Sequence, residues 1–431
     1  GIDMAKALRV ALAGLGTVGS GVIRVLEANR ALIERRAGRA IEVVAVSARD
    51  RNKDRGIDIS GFTWVDDTVA LADADADVVV ELVGGADGPA LALARATLGH
   101  GKAFVTANKA MLAHHGMELA EAAEKSGVPL KFEAAVAGGI PVIKGLREGA
   151  AANEIARVQG ILNGTCNFIL SKMEAEGRDF GEVLAEAQAL GYAEADPSFD
   201  IDGVDAAHKL SILASLAFGT RPAFDDVTIR GIRQLIAGDI AEAAALGYRI
   251  RLIGQAELGA GGLFQRVQPQ LVPQDHPLAH VTGSTNAVVA EGNFVGRLLF
   301  QGAGAGDGPT ASAVIADLID IARGESGPPF AMPVAALTDA AAADTGARCG
   351  RFYLRFMVAD RVGVLAEIAA AMRDAGVSIE SLIQRGANLD GSALVAIVTH
   401  EVSESAIAAA LERLRGSQSL VGEPMWMPIL G

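Results

Sequence analysis

The stretch 7-ALRVALAGLGTVGSG-21 decides the fold of the first part of this chain. An apolar run typical of a buried strand ends in a G-x-G-x-x-G turn, which is followed by the helical pattern VIRVLEANRALIERR and a second apolar run, IEVVAVSA. Glycines in such a turn let the backbone approach a pyrophosphate, while the helix N-terminus offers unpaired N–H groups. This order predicts a dinucleotide-binding unit, with a tight structural turn as the alternative. The residues expected to contact the cofactor are Gly14, Leu15, Gly16, Thr17, Val18 and Gly19.

Two further apolar runs, ADVVVELVGG and KAFVTANKA, continue the alternation of strand and helix. They predict an α/β fold with a Rossmann-type, doubly wound parallel sheet, in which ligands lie at the carboxyl ends of the strands. Gly84 and Lys109 follow two of these strands and are expected at the cofactor edge. We expect this domain to span residues 4–134 and to be completed by about 305–345.

The segment VSARDRNKDR, at the end of the second strand, bears on cofactor choice. An acidic residue there would hold a ribose 2′-hydroxyl, whereas an arginine would accept a 2′-phosphate. Arg49 therefore favours NADP, and the neighbouring Asp50 keeps NAD possible. A solvated charged loop without a cofactor role is the alternative.

Composition limits the classes of partner. A chain of 431 residues implies two to four domains. The net charge of -14 disfavours nucleic acid and anionic membranes, which leaves small molecules and other proteins. Two cysteines, Cys166 and Cys349, cannot form a disulfide framework and indicate a reducing cytoplasm. The sequence contains no convincing transmembrane segment.

The middle of the chain, about residues 135–304, has a different pattern. Short runs such as YRIRLIGQAEL, FQRVQPQLV and NAVVAEG, separated by Gly and Pro, predict a mostly antiparallel sheet in an α+β substrate-binding, catalytic and dimerisation domain. The segment DPSFDIDGVDAAHKL leads into an apolar helix expected to begin near Gly203. Asp205 and Lys209 are four residues apart and share a face of that helix, either as an exposed ion pair or as a catalytic pair.

Several fixed positions around this helix resemble the homoserine dehydrogenase family. The pattern A-x3-G-[aromatic]-A-x2-D-P-x2-D-[aliphatic]-x-G-x-D-x3-K is met by Ala187, Gly191, Asp196, Pro197, Asp200, Ile201, Gly203, Asp205 and Lys209. The likeness extends to TANKAML, EAAVAGGIPVI, GILNGTCNFIL and QGAGAG, and so covers most of the chain. Cys166 stands where relatives often have threonine, a mild departure.

This resemblance implies reversible, NAD(P)-dependent interconversion of L-homoserine and L-aspartate 4-semialdehyde. Alcohol oxidation needs a base and aldehyde reduction needs an acid, and Lys209 suits both roles. A lysine base requires burial or a nearby cation, which Lys109 is expected to supply. Gly302 is expected near the cofactor where the two domains meet. The residues expected to bind the substrate are Gly191, Glu194, Asp200 and Asp205.

Three neighbouring residues have other expected roles. Asp196 and Asp202 are expected to shape the loop and to cap the helix. His208 is an alternative base, although it is offset from the face that carries Lys209 and is more typical of a packed histidine.

The segment FEAAVAGGIPVI is expected to be a glycine-rich loop with one carboxylate. The resemblance implies that this segment holds a monovalent cation, usually sodium, for which oxygen-only ligands are suited. An incidental glutamate in a structural loop is the alternative. The expected ligands are the Glu133 side chain and the carbonyl groups of Val136, Gly138 and Ile140.

Residues 349–431 follow a loosely composed connector and alternate as βαββαβ. They resemble an ACT domain, a small module that usually pairs edge to edge and binds an amino acid. Asp360, Gly363 and Val364 are expected near an effector, with threonine as the natural candidate, and the chain is expected to form a homodimer or homotetramer. Because the connector looks loose, we expect the body to fold without this tail. A purely structural dimerisation module is the alternative.

Two other functions remain open at this stage. One is a catalytically inactive, NADP-responsive sensor, which the intact set of Lys109, Glu194, Asp205 and Lys209 disfavours. The other is a different ACT-tailed dehydrogenase acting on a hydroxy acid. Such an enzyme would need an Arg and His pair for its substrate, and the sequence shows no such pair placed on a loop.

Overall fold

The computed structural model describes residues 6–359, 362–386 and 391–431, so the expectation for Asp360 lies outside the described residues. Its first sheet has six parallel strands in the order β3-β2-β1-β4-β5-β6, which confirms the doubly wound fold. The strands are β1 (Leu8–Ala13), β2 (Ile41–Ser47), β3 (Thr63–Trp64), β4 (Val78–Glu81), β5 (Ala103–Thr106) and β6 (Leu130–Lys131). The accompanying helices are α1 (Thr17–Ala28), α2 (Arg30–Ala37), α3 (Gly88–Gly99) and α4 (Lys109–Ser126).

The helical run after the glycine turn is divided in two. Asn29 interrupts it between α1 and α2, with φ -113° and ψ 25°. Asparagine competes with the helix for backbone hydrogen bonds, which accounts for a break at this position. The sequence pattern predicts a single run here, and the structure corrects it.

The middle sheet also has six strands, in the order β12-β11-β7-β9-β10-β8. All its pairs are antiparallel except β8 with β10, which confirms the mostly antiparallel sheet. Its strands are β7 (Ile155–Ile161), β8 (Thr228–Ile229), β9 (Tyr248–Gly259), β10 (Gly262–Pro273), β11 (Thr285–Gly292) and β12 (Gly296–Ala303). Its helices are α5 (Ala134–Ala137), α6 (Val142–Lys144), α7 (Gly164–Glu176), α8 (Phe180–Ala189), α9 (Ser198–Ile201), α10 (Val204–Phe218) and α11 (Ala237–Ala245).

Helix α12 (Asp307–Ala322) follows the middle sheet and lies on the first one. Val314 and Leu318 of α12 are fully buried in the same core as Leu12 and Val22. A Cβ on Gly21 of α1 would lie 3.0 Å from the Asp307 carbonyl oxygen, so the two helices meet at a glycine. The chain thus leaves the nucleotide-binding sheet, builds the middle domain and returns.

The last domain has the predicted βαββαβ order. It contains β14 (Phe352–Ala359), α13 (Val364–Asp374), β15 (Ile379–Arg385), β16 (Ser392–Thr399), α14 (Glu404–Leu414) and β18 (Met425–Pro428), preceded by β13 (Cys349–Gly350) paired with β17 (Val402–Ser403). The four longer strands form an antiparallel sheet in the order β15-β16-β14-β18. The ACT-type fold is therefore confirmed.

The tail is packed on the body of the molecule, contrary to the expectation of a loosely attached module. Tyr353, Met425 and Met427 belong to one continuous core that also contains Leu271 of the middle sheet. The connector is bound as well, because the Leu263 N–H donates to the Ala341 carbonyl at 2.8 Å. Composition suggested a flexible linker, but apolar burial on both sides holds it in place.

Within residues 6–359, 362–386 and 391–431, no helix is both long enough and apolar enough to cross a bilayer.

Candidate active site

The glycine turn between β1 and α1 is shaped to receive a pyrophosphate. Gly14 has φ +96°, a conformation that side chains disfavour. A Cβ on Gly19 would lie 2.0 Å from the Gly14 carbonyl oxygen, so only glycine permits this approach of helix to turn. A Cβ on Gly16 would meet nothing within 4 Å, which leaves its backbone open to a ligand. The residues present therefore fit a dinucleotide at the α1 N-terminus.

Arg49 and Asp50 both lie exposed just after β2. Asp50 accepts a hydrogen bond from the Asn52 N–H at 3.0 Å, and Arg51 and Arg55 lie 5.8 Å from the Trp64 ring centroid. Arg49 thus follows β2 at the expected edge of the sheet, and both it and Asp50 are exposed to solvent.

Two ion pairs that share Asp205, Lys109–Asp205 and Asp205–Lys209, join the two domains and are called here the ion-pair ladder. The Asp205 carboxylate on α10 lies 2.8 Å from the Lys109 ammonium on α4 and 3.0 Å from the Lys209 ammonium on its own helix. The Lys209 ammonium also donates to the Leu162 carbonyl at 2.8 Å. Asp205 is 3% exposed, so this is not the exposed ion pair that the spacing left open. Burial alone would raise the pKa of Asp205, but the two ammonium groups and the Asn163 amide hold it well below its usual range.

Asn163 is a site residue that sequence reasoning missed. Its amide nitrogen donates to Asp200 at 2.8 Å and to Asp205 at 2.9 Å, while its amide oxygen caps α7 by accepting from the Cys166 N–H. Burial raises the pKa of Asp200 above its ordinary value, against the opposing Asn163 hydrogen bond. An Asn between a strand and a helix was the available signal, because N-caps favour that residue.

These side chains line a cavity of about 970 Å³ between the two domains. Glycines of the segment after β12 form the facing wall, and the Gly304 backbone approaches so closely that a Cβ would lie 2.0 Å from the Asn286 amide. Glu194 instead lies exposed outside this lining. Of the expected site residues, the cavity brings together Lys109, Gly191, Asp200, Asp205, Lys209 and Gly302.

His208 is buried beside the ladder and outside the cavity lining. Its Nε2 lies 3.2 Å from Nε2 of His114, and its ring stacks on Phe224 at 4.3 Å between centroids. Burial, with the neighbouring His114, lowers the pKa of His208 to about 4. The packed histidine is therefore the interpretation that the structure supports.

The other two aspartates shape the approach to α10. Asp196 accepts from the Ser198 N–H and hydroxyl, and Asp202 pairs with Arg233. The prediction that one of them caps α10 is wrong. The N-cap is Gly203 with φ +88°, and no side chain among the described residues caps this particular helix.

The segment around Glu133 forms short helices rather than the expected loop. The Glu133 carboxylate accepts from the Ile143 and Lys144 N–H groups, both at 3.0 Å, and so stabilises the start of α6. Burial, together with Asp317, raises the pKa of Glu133 to about 7. Its backbone donates to Asp317, and the Ile140 carbonyl accepts from the Val142 N–H at 2.8 Å.

Glu81, at the end of β4, is a second residue that sequence reasoning missed. This fully buried carboxylate accepts from the Val83 and Gly84 N–H groups and from the Thr106 hydroxyl, all at 2.8 Å. It thereby fixes the turn after β4, where Gly84 was expected to meet the cofactor. A lone glutamate in an apolar strand was the only signal.

A doubly wound sheet with a pyrophosphate turn, facing a buried lysine and aspartate pair across a cavity, defines an NAD(P)-dependent oxidoreductase. Three family models match the chain. The homoserine dehydrogenase model matches residues 141–319, the model of the homoserine dehydrogenase NAD-binding domain matches residues 14–133, and the ACT domain model matches residues 352–416. A homoserine dehydrogenase from Pseudomonas aeruginosa is 47% identical over 421 residues, which cover 95% of this chain and 96% of that protein. The chain belongs to the homoserine dehydrogenase family.

Solved structures agree with this assignment. The crystal structure of a homoserine dehydrogenase from Thiobacillus denitrificans has a TM-score of 0.92 and 42% identity, covering 99% of both chains. A hyperthermophilic archaeal homoserine dehydrogenase in complex with NADPH has a TM-score of 0.65 and 27% identity, covering 75% of this chain and 100% of that one.

Proposed function

We propose that this chain catalyses the reversible oxidation of the L-homoserine hydroxyl to the aldehyde of L-aspartate 4-semialdehyde. The observation that carries the proposal is the buried Lys109–Asp205–Lys209 ladder in a cavity beside the nucleotide-binding sheet. The test is to follow NADPH formation from L-homoserine. Absence of turnover with intact cofactor binding would favour the inactive sensor. Turnover only with a 2-hydroxy acid would favour the other class of dehydrogenase.

Lys209 is proposed to hold and release the proton. An ammonium group has three N–H donors. Two of those of Lys209 are used by the Leu162 carbonyl and by Asp205, which leaves one for a substrate oxygen. In aldehyde reduction this N–H donates to the developing alkoxide, and in alcohol oxidation the neutral amine accepts the hydroxyl proton. When bound, the nicotinamide accepts the hydride or returns it to the carbonyl carbon.

The carboxylates around Lys209 are proposed to receive the substrate ammonium. Asp200 and Asp205 line the cavity together with the Gly191 backbone. Asn163 holds both carboxylates, so their positions are fixed before a ligand arrives. Glu194 is proposed to act from the exposed rim of this region.

NADP is the proposed cofactor, with NAD as a possible substitute. Two observations support this choice: Arg49 is exposed at the end of β2, and a relative has been solved in complex with NADPH. Replacing Arg49 with serine is expected to weaken NADPH binding by about tenfold or more, because a charge-assisted hydrogen bond to the 2′-phosphate is lost.

NADH binding should change little in the same variant. Arg30→Ser on α2, which is also exposed, serves as the charge-matched control. Titration of both cofactors against each protein measures the effect. An equal loss for NADH and NADPH would show that Arg49 does not contact the phosphate.

His208→Gln tests whether the alternative base contributes. We expect kcat to fall by less than about tenfold, since a positioned acid or base contributes 10² or more. The reason is geometric, because His208 packs on His114 and Phe224 and lies outside the cavity lining. A pH–rate profile of the variant checks the role: disappearance of an ionisation present in the wild type would make His208 the proton carrier.

A monovalent cation, sodium being the candidate, is proposed at Glu133 with the carbonyls of Val136, Gly138 and Ile140. The donor set contains only oxygen, as a hard cation requires. The segment also contacts the cavity wall, because a Cβ on Gly138 would lie 2.4 Å from the Gly304 carbonyl. Replacing NaCl with N-methylglucamine chloride at equal ionic strength should lower turnover severalfold, and added NaCl should restore it. Turnover insensitive to this exchange would remove the cation from the proposal.

The ACT domain is proposed to regulate the enzyme. We propose that threonine binds near Gly363 and Val364 and inhibits the enzyme through this domain. The chain is proposed to form a homodimer or homotetramer and to act in the cytoplasm, in the biosynthesis of threonine, methionine and isoleucine. Gly363 has φ +88° and is the N-cap of α13. Among the described strands β15 lies at the edge of its sheet, where a strand of a second copy would pair.

A further inference from the structure

Glu81 is a buried carboxylate that the proposed chemistry does not use. The parallel register of β4 and β5 places it opposite Thr106, which is also fully buried. Glu81 Oε1 accepts from the Thr106 hydroxyl, and Oε2 accepts from the Val83 and Gly84 N–H groups. A carboxylate is costly to bury unless it is hydrogen-bonded. These bonds therefore tie the turn after β4 to the neighbouring strand.

The hydrogen bonds continue from Thr106 to the first turn of α4. The Thr106 hydroxyl oxygen accepts from the Asn108 N–H at 3.0 Å, and the Asn108 amide oxygen caps α4 by accepting from the Met111 N–H at 3.0 Å. The Asn108 amide nitrogen donates to the Gly85 carbonyl at 2.7 Å. The side chains of Glu81, Thr106 and Asn108, called here the turn–helix network, thus connect the turn after β4 with the start of α4 by two routes.

One end of the turn–helix network lies beside the glycine turn that is proposed to receive the pyrophosphate. A Cβ on Gly14 would lie 3.0 Å from the Leu82 carbonyl oxygen, so the two turns are in contact. Residues 83–85 are exposed, and a Cβ on Gly84 would meet nothing within 4 Å. The backbone of the turn after β4 is therefore open to a cofactor bound at this edge of the sheet.

The other end of the turn–helix network carries Lys109. This lysine follows Asn108 as the first residue of α4, and its ammonium lies 2.8 Å from the Asp205 carboxylate of the other domain. Asp205 is proposed to receive the substrate ammonium. The position of α4 therefore affects the substrate site, and buried hydrogen bonds connect that position with the cofactor edge.

We propose that Glu81, Thr106 and Asn108 are positioning residues that couple the cofactor site to the substrate site. Contact of the cofactor with the turn after β4 fixes, through this network, the start of α4 and the contact of Lys109 with Asp205. A site that is already ordered binds its ligand at a smaller entropic cost, so NADPH raises the affinity for L-homoserine. This inference rests on the proposed function, because it takes these two compounds as the ligands.

Isothermal titration calorimetry tests the coupling without turnover, because L-homoserine is an alcohol and does not react with the reduced cofactor. L-Homoserine is titrated into the full chain alone and into the full chain saturated with NADPH. The wild-type chain should bind it at least about fivefold more tightly in the second case, and L-homoserine should raise the affinity for NADPH by the same factor. Equal affinity in both cases would overturn the inference. Absence of L-homoserine binding in both cases would instead contradict the proposed function itself.

Three threonine variants locate the coupling. Thr106→Val removes the hydroxyl at nearly constant volume and should reduce the gain in affinity to less than about twofold, because Glu81 and the Asn108 N–H each lose a partner. Thr106→Ser restores the hydroxyl and should retain the gain. Thr97→Val is the matched control and should also retain it, because Thr97 is a fully buried residue of α3 whose hydroxyl has no partner among the described residues.

The gain in affinity is the decisive quantity, because a loss of stability alone would weaken binding with and without NADPH alike. If Thr106→Val does not fold, Glu81→Gln decides. Its amide keeps one oxygen for the Val83 and Gly84 N–H groups but replaces the acceptor of the Thr106 hydroxyl by a donor, so the gain should fall there too. A gain of wild-type size in the deciding variant would show that the two ligands are coupled without the turn–helix network and would overturn the proposal.

Discussion

Replacing Lys209 with alanine is expected to lower kcat by about a hundredfold or more, the usual contribution of a positioned acid or base. The substrate oxygen loses its proton donor, and Asp205 keeps only Lys109 as a cationic partner. The affinity for NADPH should remain near normal, because the glycine turn and Arg49 lie on the other domain. Steady-state kinetics and a cofactor titration measure the two quantities separately.

Two further variants sharpen this test. Lys172→Ala removes a partly exposed lysine paired with Glu176 on α7 and should leave kcat unchanged. Lys109→Ala discriminates between the two lysines, since both contact the same carboxylate. If Lys209→Ala retained wild-type turnover while Lys109→Ala abolished it, the proton carrier would be Lys109.

The contact between Asp205 and Lys209 was predictable from the sequence. Asp205 and Lys209 are one turn apart on α10, and helix periodicity alone puts them in contact. Lys109 was expected at the sheet edge because it follows β5. Its contact with Asp205 depends on how two domains pack, which local pattern does not encode. Asn163 was missed for the same reason, because its partners come from a distant helix.

The errors share a physical cause. Gly203 caps α10 in a left-handed conformation, so the aspartates nearby were free to bind Ser198 and Arg233 instead. The Glu133 segment read as a loop because it is glycine-rich, yet its carboxylate stabilises the start of a helix. In each case a tertiary or capping contact outweighed composition.

The second substitution expected to have a large effect is Arg355→Met, which lies where the ACT domain is attached to the body of the molecule. Asp239 on α11 is fully buried and accepts from Arg355 Nε and Nη2, both at 3.1 Å, and from the Tyr353 hydroxyl at 2.9 Å. Arg355→Met leaves this carboxylate buried without its cation, which should cost roughly 3–5 kcal/mol. The midpoint of urea unfolding, followed by circular dichroism, should fall accordingly.

Arg385→Ala is the matched control for Arg355→Met, because it also removes an interdomain arginine. Its partner Glu242 is buried, but the Arg385 side chain is 60% exposed, so its removal opens Glu242 to water and should cost less than the loss of Arg355. Equal destabilisation by the two variants would show that burial does not decide the strength of the Asp239 contact.

The same contacts determine what happens when the tail is removed. Deletion from Arg348 onward would expose the apolar face of β10 and α11 that Tyr353, Met425 and Met427 cover, and would leave Asp239 without Arg355. We therefore expect the truncated chain to aggregate or unfold, although all the proposed chemistry lies before residue 348. Threonine regulation is better tested by point variants of the tail that leave the chain folded, such as Arg385→Ala, because linkage requires two folded arrangements that the effector can distinguish. A soluble, fully active truncated chain would show that the middle domain is stable on its own and that the shared core is dispensable.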